Sequence, residues 1–528
     1  MKHRRLFLPL VLLMVALQVL SACSPQQPGT TPAAVNTQGA VTQPTVTEQM
    51  ATTEQPTLAE TAPTTEQPAT TEQAAVTETA ATTEQPATTQ AVTTTTEVSP
   101  TIDLDTTKFP DGTQLKILQW SHFVPRYDQW FDPFAKEWGK NHNVNVTVDH
   151  VNIADLNPSL SAALDAGEGP TLVELPLAAA NFVEGVQDLT DVNKKAQELF
   201  GPQAETCTAN SFLPTDNKWY GFCHGWVPDP GDYDISMWTK VGYPNGPSTY
   251  DDLLKGGQAI KEQLGVPMGL GLSPEIDSNM AMRAIIWSFG GSIQDKNECV
   301  TINSPQVISA TQYVKELYDK TMTDEVFAWD AASNNQGLIA GELSYILNSI
   351  SAYRSLQKID KAAADNIGFS EALKGPNGDQ HASAHLWFIY VIPNYVKGSD
   401  VDAAKAFMLN LTANYNQVTY NSELYNFPAF ESTVPQLQGW LANDPFGSNP
   451  PDKLELLSKA KDTVTYLGWP GPSNPAVAEV YATNIIPTMM GQAALGEKTP
   501  QQAVADAEQQ INDIFNKWRA KGLVGCKQ

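Results

Sequence analysis

Residues 219–238 read WYGFCHGWVPDPGDYDISMW. The first eight hold four aromatics, a Cys and a His; a Pro-Gly-Asp break and a second short apolar strand follow. Before this stretch, apolar strand-like runs alternate with helical periodicity, and after it the same alternation starts again. We read it as the place where one lobe ends and the chain crosses to another. Aromatic side chains at such a crossing line a cleft between lobes, and clefts at domain interfaces are where small ligands bind.

Towards the N-terminus, 115–120 (LKILQW) reads as a buried strand. A helix is expected over 125–140, with Tyr127, Trp130, Phe131, Phe134 and Trp138 at near-helical spacing. The segment 144–148 alternates as a strand, 155–166 is a helix stopped by Gly167, and 171–175 is a third strand. Pro176 is expected to open another helix, since Pro is favoured in a first turn. Beyond the crossing, helices are expected over 249–264, 278–289 and 304–319, and strands over 266–272, 343–347 and 386–392. Helices follow at 401–413 and, last, at 501–518 behind Pro500. Such βαβ order implies an α/β fold with mainly parallel sheets flanked by helices. Breaks at 228–232, 375–380 (GPNGDQ) and 425–429 would weave the chain between two lobes. The expected first lobe is 108–228 plus 381–425; the second is 233–375 plus 430–528.

The first 107 residues stand apart. Lys2, Arg4 and Arg5 precede an apolar run over 6–20 that is too short to span a membrane stably. It ends in Leu20-Ser21-Ala22-Cys23, which resembles a bacterial lipobox, so 1–23 reads as a lipoprotein signal and Cys23 as the lipidated residue. Acyl chains on Cys23 would hold the protein at a membrane. Residues 24–107 lack aromatics and repeat TTEQ at 52, 64, 70 and 82. That composition cannot bury enough apolar surface to offset ordering entropy, so it reads as a disordered tether, roughly 50 Å end to end. An exported protein anchored at the outer face of the cytoplasmic membrane is expected.

The net charge is −26, and removing the three signal cations would take it to −29. A surface that acidic repels nucleic acid and anionic headgroups. Besides Cys23 there are Cys207, Cys223, Cys299 and Cys526, an even number. Four allow three connectivities; nearness in sequence favours Cys207–Cys223, leaving Cys299–Cys526. The Cys show no CxxC or CxxH metal spacing, and no metal or cofactor is expected.

Residues 110–520 resemble the extracellular solute-binding proteins of ABC importers, in the sugar-binding branch that includes maltose-binding protein. LKILQW with its aromatic helix, WYGFCHGW, GYPNGPSTYDDLLKGGQAI, WSFGGSIQD, NNQGLIAGELSYILNSISAYRSL and TMMGQAALGEKTPQQAVADAEQQIN carry the resemblance, in the family's order. Two departures are His385-Leu386-Trp387 for the family's Gly-Gly-Trp and Pro428-Ala429-Phe430 for Pro-Ala-Arg. The resemblance implies a type II periplasmic-binding fold with three hinge crossings. It implies a monomer that captures a mono- or oligosaccharide by hinge closure and hands it to a membrane permease, without catalysis.

In open α/β sheets ligands sit at the carboxyl ends of strands. That rule nominates Trp120, His122, Phe123, Glu174, His224 and Trp226 in the first lobe. It nominates Ser273, Glu275, Asn348, Ser349 and Tyr353 in the second, with His385 and Trp387 at the second crossing. Trp469 resembles the family position where an aromatic stacks on sugar. Rings would cover a sugar's apolar face and the polar groups its hydroxyls. Trp130, Trp138, Trp287 and Trp518 lie at helical spacing and read as core. Other classes have single supports. A glycosidase would need Glu174 and Glu275 across one bond. A metal carrier would use His381 and His385, with His122 and His224. A phosphate ligand would need Arg126, Arg283 or Arg354. A non-sugar organic solute, of polyol, glycerol-phosphate or aromatic type, is the alternative within the binding class, and an exported glycoside-active enzyme stands behind it.

Overall fold

Six strands build the larger sheet of the computed structural model, which describes residues 98–526. Their spatial order is Phe427–Pro428, Phe222–Trp226, Trp387–Val391, Leu172–Leu175, Gln114–Trp120, Asn145–Val151. The last three run parallel, with Ile117 opposite Leu172 and Gln114 opposite Asn145. The other pairings are antiparallel, so the sheet is mixed rather than mainly parallel. The cause is the hinge. Phe222–Trp226 carries the chain out of this lobe and Trp387–Val391 brings it back, so the two neighbours run in opposite senses.

Helix Pro125–His142 packs Tyr127, Phe131, Ala135 and Trp138 inward. The rings of Trp138 and Phe131 meet Phe407 at 5.2 and 5.9 Å. Gly225 is required where it stands: a Cβ there would lie 1.6 Å from Tyr415 Oη and 2.7 Å from the Phe427 carbonyl oxygen. Pro428 fits the sheet edge, where a missing N–H costs no ladder bond.

The second lobe holds a smaller sheet with Gly231–Asp234 at its centre, antiparallel to Tyr345–Leu347 and Ile367–Ser370. The strand expected over 266–272 is reduced to one parallel bridge, Gly269 to Ile346. Pro267 lacks a donor, and Gly269 and Gly271 offer no side chain to pack. Pro176 opens no helix either; a short 3-10 turn, Ala179–Phe182, follows, and Pro176's carbonyl accepts from Trp387 N at 3.0 Å.

The first two crossings run side by side: His385 N donates to Val227 O and Val227 N to Leu386 O, both at 2.9 Å. The GPNGDQ break is instead a tight turn within the second lobe, closed by Gly375 N to Asp379 O at 2.8 Å. The third crossing lies later than 425–429. Phe427–Pro428 is paired into the larger sheet, and Phe430 still packs on Phe200 at 5.8 Å. Trp440 still meets Tyr420 at 5.7 Å, whereas Asp444 is already bound to Arg354 of the second lobe at 2.7 Å.

Residues 98–107, assigned above to the tether, are bound to the first lobe. Ile102 N donates to Asn414 Oδ1 at 2.8 Å and Leu104 N to Asn410 Oδ1 at 2.9 Å. Asparagine side chains there satisfy backbone that composition alone leaves unpaired. The expectations for 1–23, for lipidation at Cys23 and for the tether up to 97 lie outside the described residues. Both disulfides form, Cys207–Cys223 and Cys299–Cys526. Among the described residues no helix is long and apolar enough to cross a membrane.

Candidate functional site

The carboxyl ends of the three parallel strands open onto a cavity of about 430 Å³ between the lobes. Ser121, Phe123, Asn152, Asn157, Pro176 and Leu177 form its first-lobe wall. Pro274, Glu275, Asn279, Asp330, Tyr481 and Asn484 stand on the other side. Local chemistry sets these positions. Asn152 caps the turn after its strand by accepting from Ala154 N at 3.0 Å. Glu275 is the N-cap of helix Ile276–Ser288, accepting from Asp277 N at 2.6 Å and from Ser278 N. Asn279 Nδ2 donates to Asn484 Oδ1 at 2.5 Å, tying that helix to the segment before the C-terminal helices. The lining carries four amides, two carboxylates and the rings of Phe123 and Tyr481, with no Lys or Arg.

Behind the first-lobe wall lies a buried chain of charges. His122 Nδ1 donates to Asp128 Oδ1 at 2.6 Å, and its Nε2 lies 3.2 Å from Glu174 Oε2. His224 Nε2 donates to Glu174 Oε1 at 2.9 Å. Burial alone would lower His122, but the bonds to Asp128 and Glu174 outweigh it and hold its pKa near 9. Burial alone would raise Glu174, but the two histidines bring it down to about 2. Burial dominates at His224 and lowers it. His122, held above its ordinary pKa, thus stands between two carboxyl groups, and His224, held below its own, stands on the far side of Glu174. Trp120 and Phe388 cover His122, with centroids 4.2 and 5.7 Å away.

A second buried cluster sits where the crossings pass. Asp229 Oδ1 is 3.5 Å from His385 Nδ1, and Asp277 Oδ1 is 3.9 Å from His385 Nε2. Asp277 Oδ2 accepts from Asn334 Nδ2 at 2.8 Å. Burial, then Glu275 and Asp229, push Asp277 up to about 8 against the pull of His385. Arg283 donates to Ser383 Oγ at 2.7 Å, and burial lowers it to about 10.

Of the nominated residues, Phe123 and Glu275 reach the cleft. Trp120, His122, Glu174 and His224 do not line it; they build the buried layer beneath. Ser273 donates to Trp329 O at 2.6 Å, and Ser349 Oγ lies 3.2 Å from Ser351 Oγ. Asn348 donates to Asn335 Oδ1, Tyr353 to Ser448 Oγ at 2.8 Å, and Trp387 Nε1 to Thr206 Oγ1 at 2.8 Å. His385 belongs to the crossing cluster. Trp226 and Trp469 face a different cavity, of about 310 Å³. Strand-end position led to the edge of the sheet on which this cavity opens but not to which way each side chain turns. Asn152, Asp330 and Asn484 went unnoticed because Asn and Asp between elements read as turn formers, and Asn157, Asn279 and Tyr481 because they lie within helices, Leu156–Ala166, Ile276–Ser288 and Pro475–Ala482, away from the strand ends.

The competing sites lose their geometry. Glu174 is sealed between two histidines and Glu275 is held by a helix start, so neither carboxylate is free for a glycosidic bond. His381 packs its ring on Trp469 at 4.5 Å while His385 lies among Asp229 and Asp277, which splits the pair. Arg354 is bound to Asp444, Arg283 to the second crossing, and Arg126 stacks on Tyr420 and Phe446.

A family model described as bacterial extracellular solute-binding protein matches residues 129–450. The chain belongs to that family. Over 220 residues this solute-binding protein is 26% identical to an arabinooligosaccharide-binding protein of Bacillus subtilis (strain 168), covering 40% of this chain and 49% of that one. The chain spans about half the length of the curated relatives it matches. Its fold is that of maltose-bound MalE3 of T. maritima, at 17% identity and TM-score 0.63 over 76% of this chain and 100% of that one. It is likewise that of a solute-binding protein of Agrobacterium radiobacter K84 in complex with ribitol, at 16% identity and TM-score 0.64 over 77% and 100%. The two-lobed type II periplasmic-binding architecture is thereby shared.

Proposed function

We propose that this solute-binding protein captures a neutral carbohydrate in the cleft between its lobes and passes it to an ABC-importer permease. It works as a lipid-anchored monomer at the outer face of the cytoplasmic membrane and catalyses nothing. The observation that carries the reading is the cleft lining: amides, carboxylates and two rings drawn from both lobes, with no Lys or Arg. Amides and carboxylates pair with hydroxyls as donor and acceptor, and rings cover C–H faces. A phosphate or uronate would meet Glu275 and Asp330 with no compensating cation. Contacts from both lobes let the solute stabilise the closed form in proportion to what it adds there. The oligosaccharide named for the Bacillus relative and the maltose held by the Thermotoga neighbour favour a sugar. The ribitol held by the Agrobacterium neighbour favours an acyclic polyol as the second reading.

Thermal unfolding against arabinooligosaccharides, maltose, ribitol, a uronate and a sugar phosphate tests both. A ligand at a hundred times its Kd stabilises by about 2.7 kcal/mol, a readable rise in Tm. The rise is expected with a neutral saccharide. A rise with the anions alone would overturn the reading, and a rise with ribitol alone would select the second one.

A further inference from the structure

Residues 98–107 have the composition of a tether, yet the first lobe holds them as a strap. Asn414, between the helices Ser399–Ala413 and Tyr415–Asn421, accepts from Ile102 N at 2.8 Å and donates to Ile102 O at 2.9 Å. One side-chain amide thus takes the place of a neighbouring strand. Asn410 accepts from Leu104 N at 2.9 Å, and Asn416 donates to Ser99 O at 3.0 Å. His142 ends the helix Pro125–His142 and grips the strap's other end. Its Nδ1 donates to Thr107 O at 2.6 Å, and its Nε2 lies 2.8 Å from Asp103 Oδ1.

The grip is on backbone. Most of the strap's side chains face solvent, which is why its composition hides the contact. The groups that hold it do not: Asn410, Asn414, Asn416 and His142 are buried, and hydrogen bonds are stronger in such surroundings. All four belong to the first lobe. The strap's first bonds lie close to a crossing, because Gln436 Nε2, just ahead of the third passage, donates to Ser99 Oγ at 2.9 Å. None of these bonds reaches the second lobe.

We infer that the strap is a clamp that fastens the chain ahead of residue 98 to the first lobe alone, so that the first lobe is held and the second lobe is the one that swings. A pull arriving from the N-terminal side enters at Ser99 and is shared by bonds to three helices before it reaches the strand Gln114–Trp120. The crossings carry the second lobe, so its rotation needs no slack in the chain upstream. The clamp's use rests on the proposed anchoring and lobe closure; its geometry does not.

Distances between pairs of spin labels on the full chain test the clamp. Ile102→Cys in the strap is paired with Leu199→Cys in the first lobe and, separately, with Leu495→Cys in the second; these side chains are 50%, 44% and 49% exposed. The 102–199 distance should be single, narrow and the same with and without maltose. The 102–495 distance should shift when maltose is added. Asn410→Ala and Asn414→Ala together should broaden the 102–199 distribution and leave the 199–495 distance in place. A broad 102–199 distribution in the chain that keeps both asparagines overturns the clamp, whatever the sugar does. A 102–199 distance that itself moves with maltose overturns the assignment of the second lobe as the one that swings. A narrow 102–199 distance with no movement of 102–495 keeps the clamp and overturns closure on maltose.

Discussion

Glu174 shows how far one residue's position can be read from sequence and where the reading stops. Its place at a strand end facing the second lobe was legible in the alternation of 171–175. Its partners were not, because His122, just past the end of its strand, and His224 lie 52 and 50 residues away along the chain, one in each direction. Only the fold brings them within 3.2 Å and 2.9 Å. The three serve as a brace under the cleft wall rather than as ligand contacts. Glu174→Gln leaves the buried His122 cation short of an anion, and such a break costs about 3–5 kcal/mol, readable by urea unfolding. The pH dependence follows from the same shifts. His122 sits above its ordinary 6.5, so its contribution is whole below pH 6.5 and is lost as pH rises through about 9. Glu174 sits below its ordinary 4.5, so its contribution is whole above pH 4.5 and is lost as pH falls through about 2. His224, lowered by burial, adds a loss on the acid side of 6.5. The network's contribution is therefore greatest near pH 6.5. Unfolding wild type and Glu174→Gln from about pH 4 to about pH 9 should give a difference that peaks there, and a flat difference rejects the assignment.

At the scale of elements, helix starts were legible where local capping chemistry sets them, as at 249 and 500, but not at Pro176, which opens no helix. Thr249 accepts from Asp252 N at 3.0 Å while Asp252 Oδ2 accepts from Thr249 N at 3.1 Å. Thr499 and Gln502 repeat the arrangement behind Pro500. Thr249→Ala removes one of the two bonds and should cost about 1 kcal/mol, seen as a lower urea midpoint with an unchanged slope. Strands were less legible where pairing, not propensity, decides. Residues 266–272 carry strand-like apolar spacing but pair at one residue, and Phe427–Pro428 reads as a break yet closes the sheet's edge. The crossings were misplaced for the same reason: Gly-rich turns announce themselves in sequence, whereas the third passage, between Trp440 and Asp444, is marked by tertiary partners.

For the whole molecule, the cysteine count and the two-lobed class were both readable in advance, since each rests on composition and element order. The two bridges constrain very different lengths of chain, 16 and 227 residues. Loop-closure entropy predicts about 3 kcal/mol from the first and about 5 from the second. Replacing Cys299 and Cys526 together by Ser should thus lower unfolding stability more than replacing Cys207 and Cys223 together, measured by denaturant titration under non-reducing conditions. The cleft lining carries one more consequence, for the waters in which the protein can work. The chain as a whole bears a charge of −26, a field that dissolved salt compresses to about 10 Å at 0.1 M and about 3 Å at 1 M. A neutral solute gives that field nothing to pull on, and the cleft has no Lys or Arg whose grip the salt could loosen. Stopped-flow association rates should accordingly hold level from about 0.05 M to about 1 M sodium chloride. A cleft built this way would hold a neutral solute as readily in brine as in rainwater.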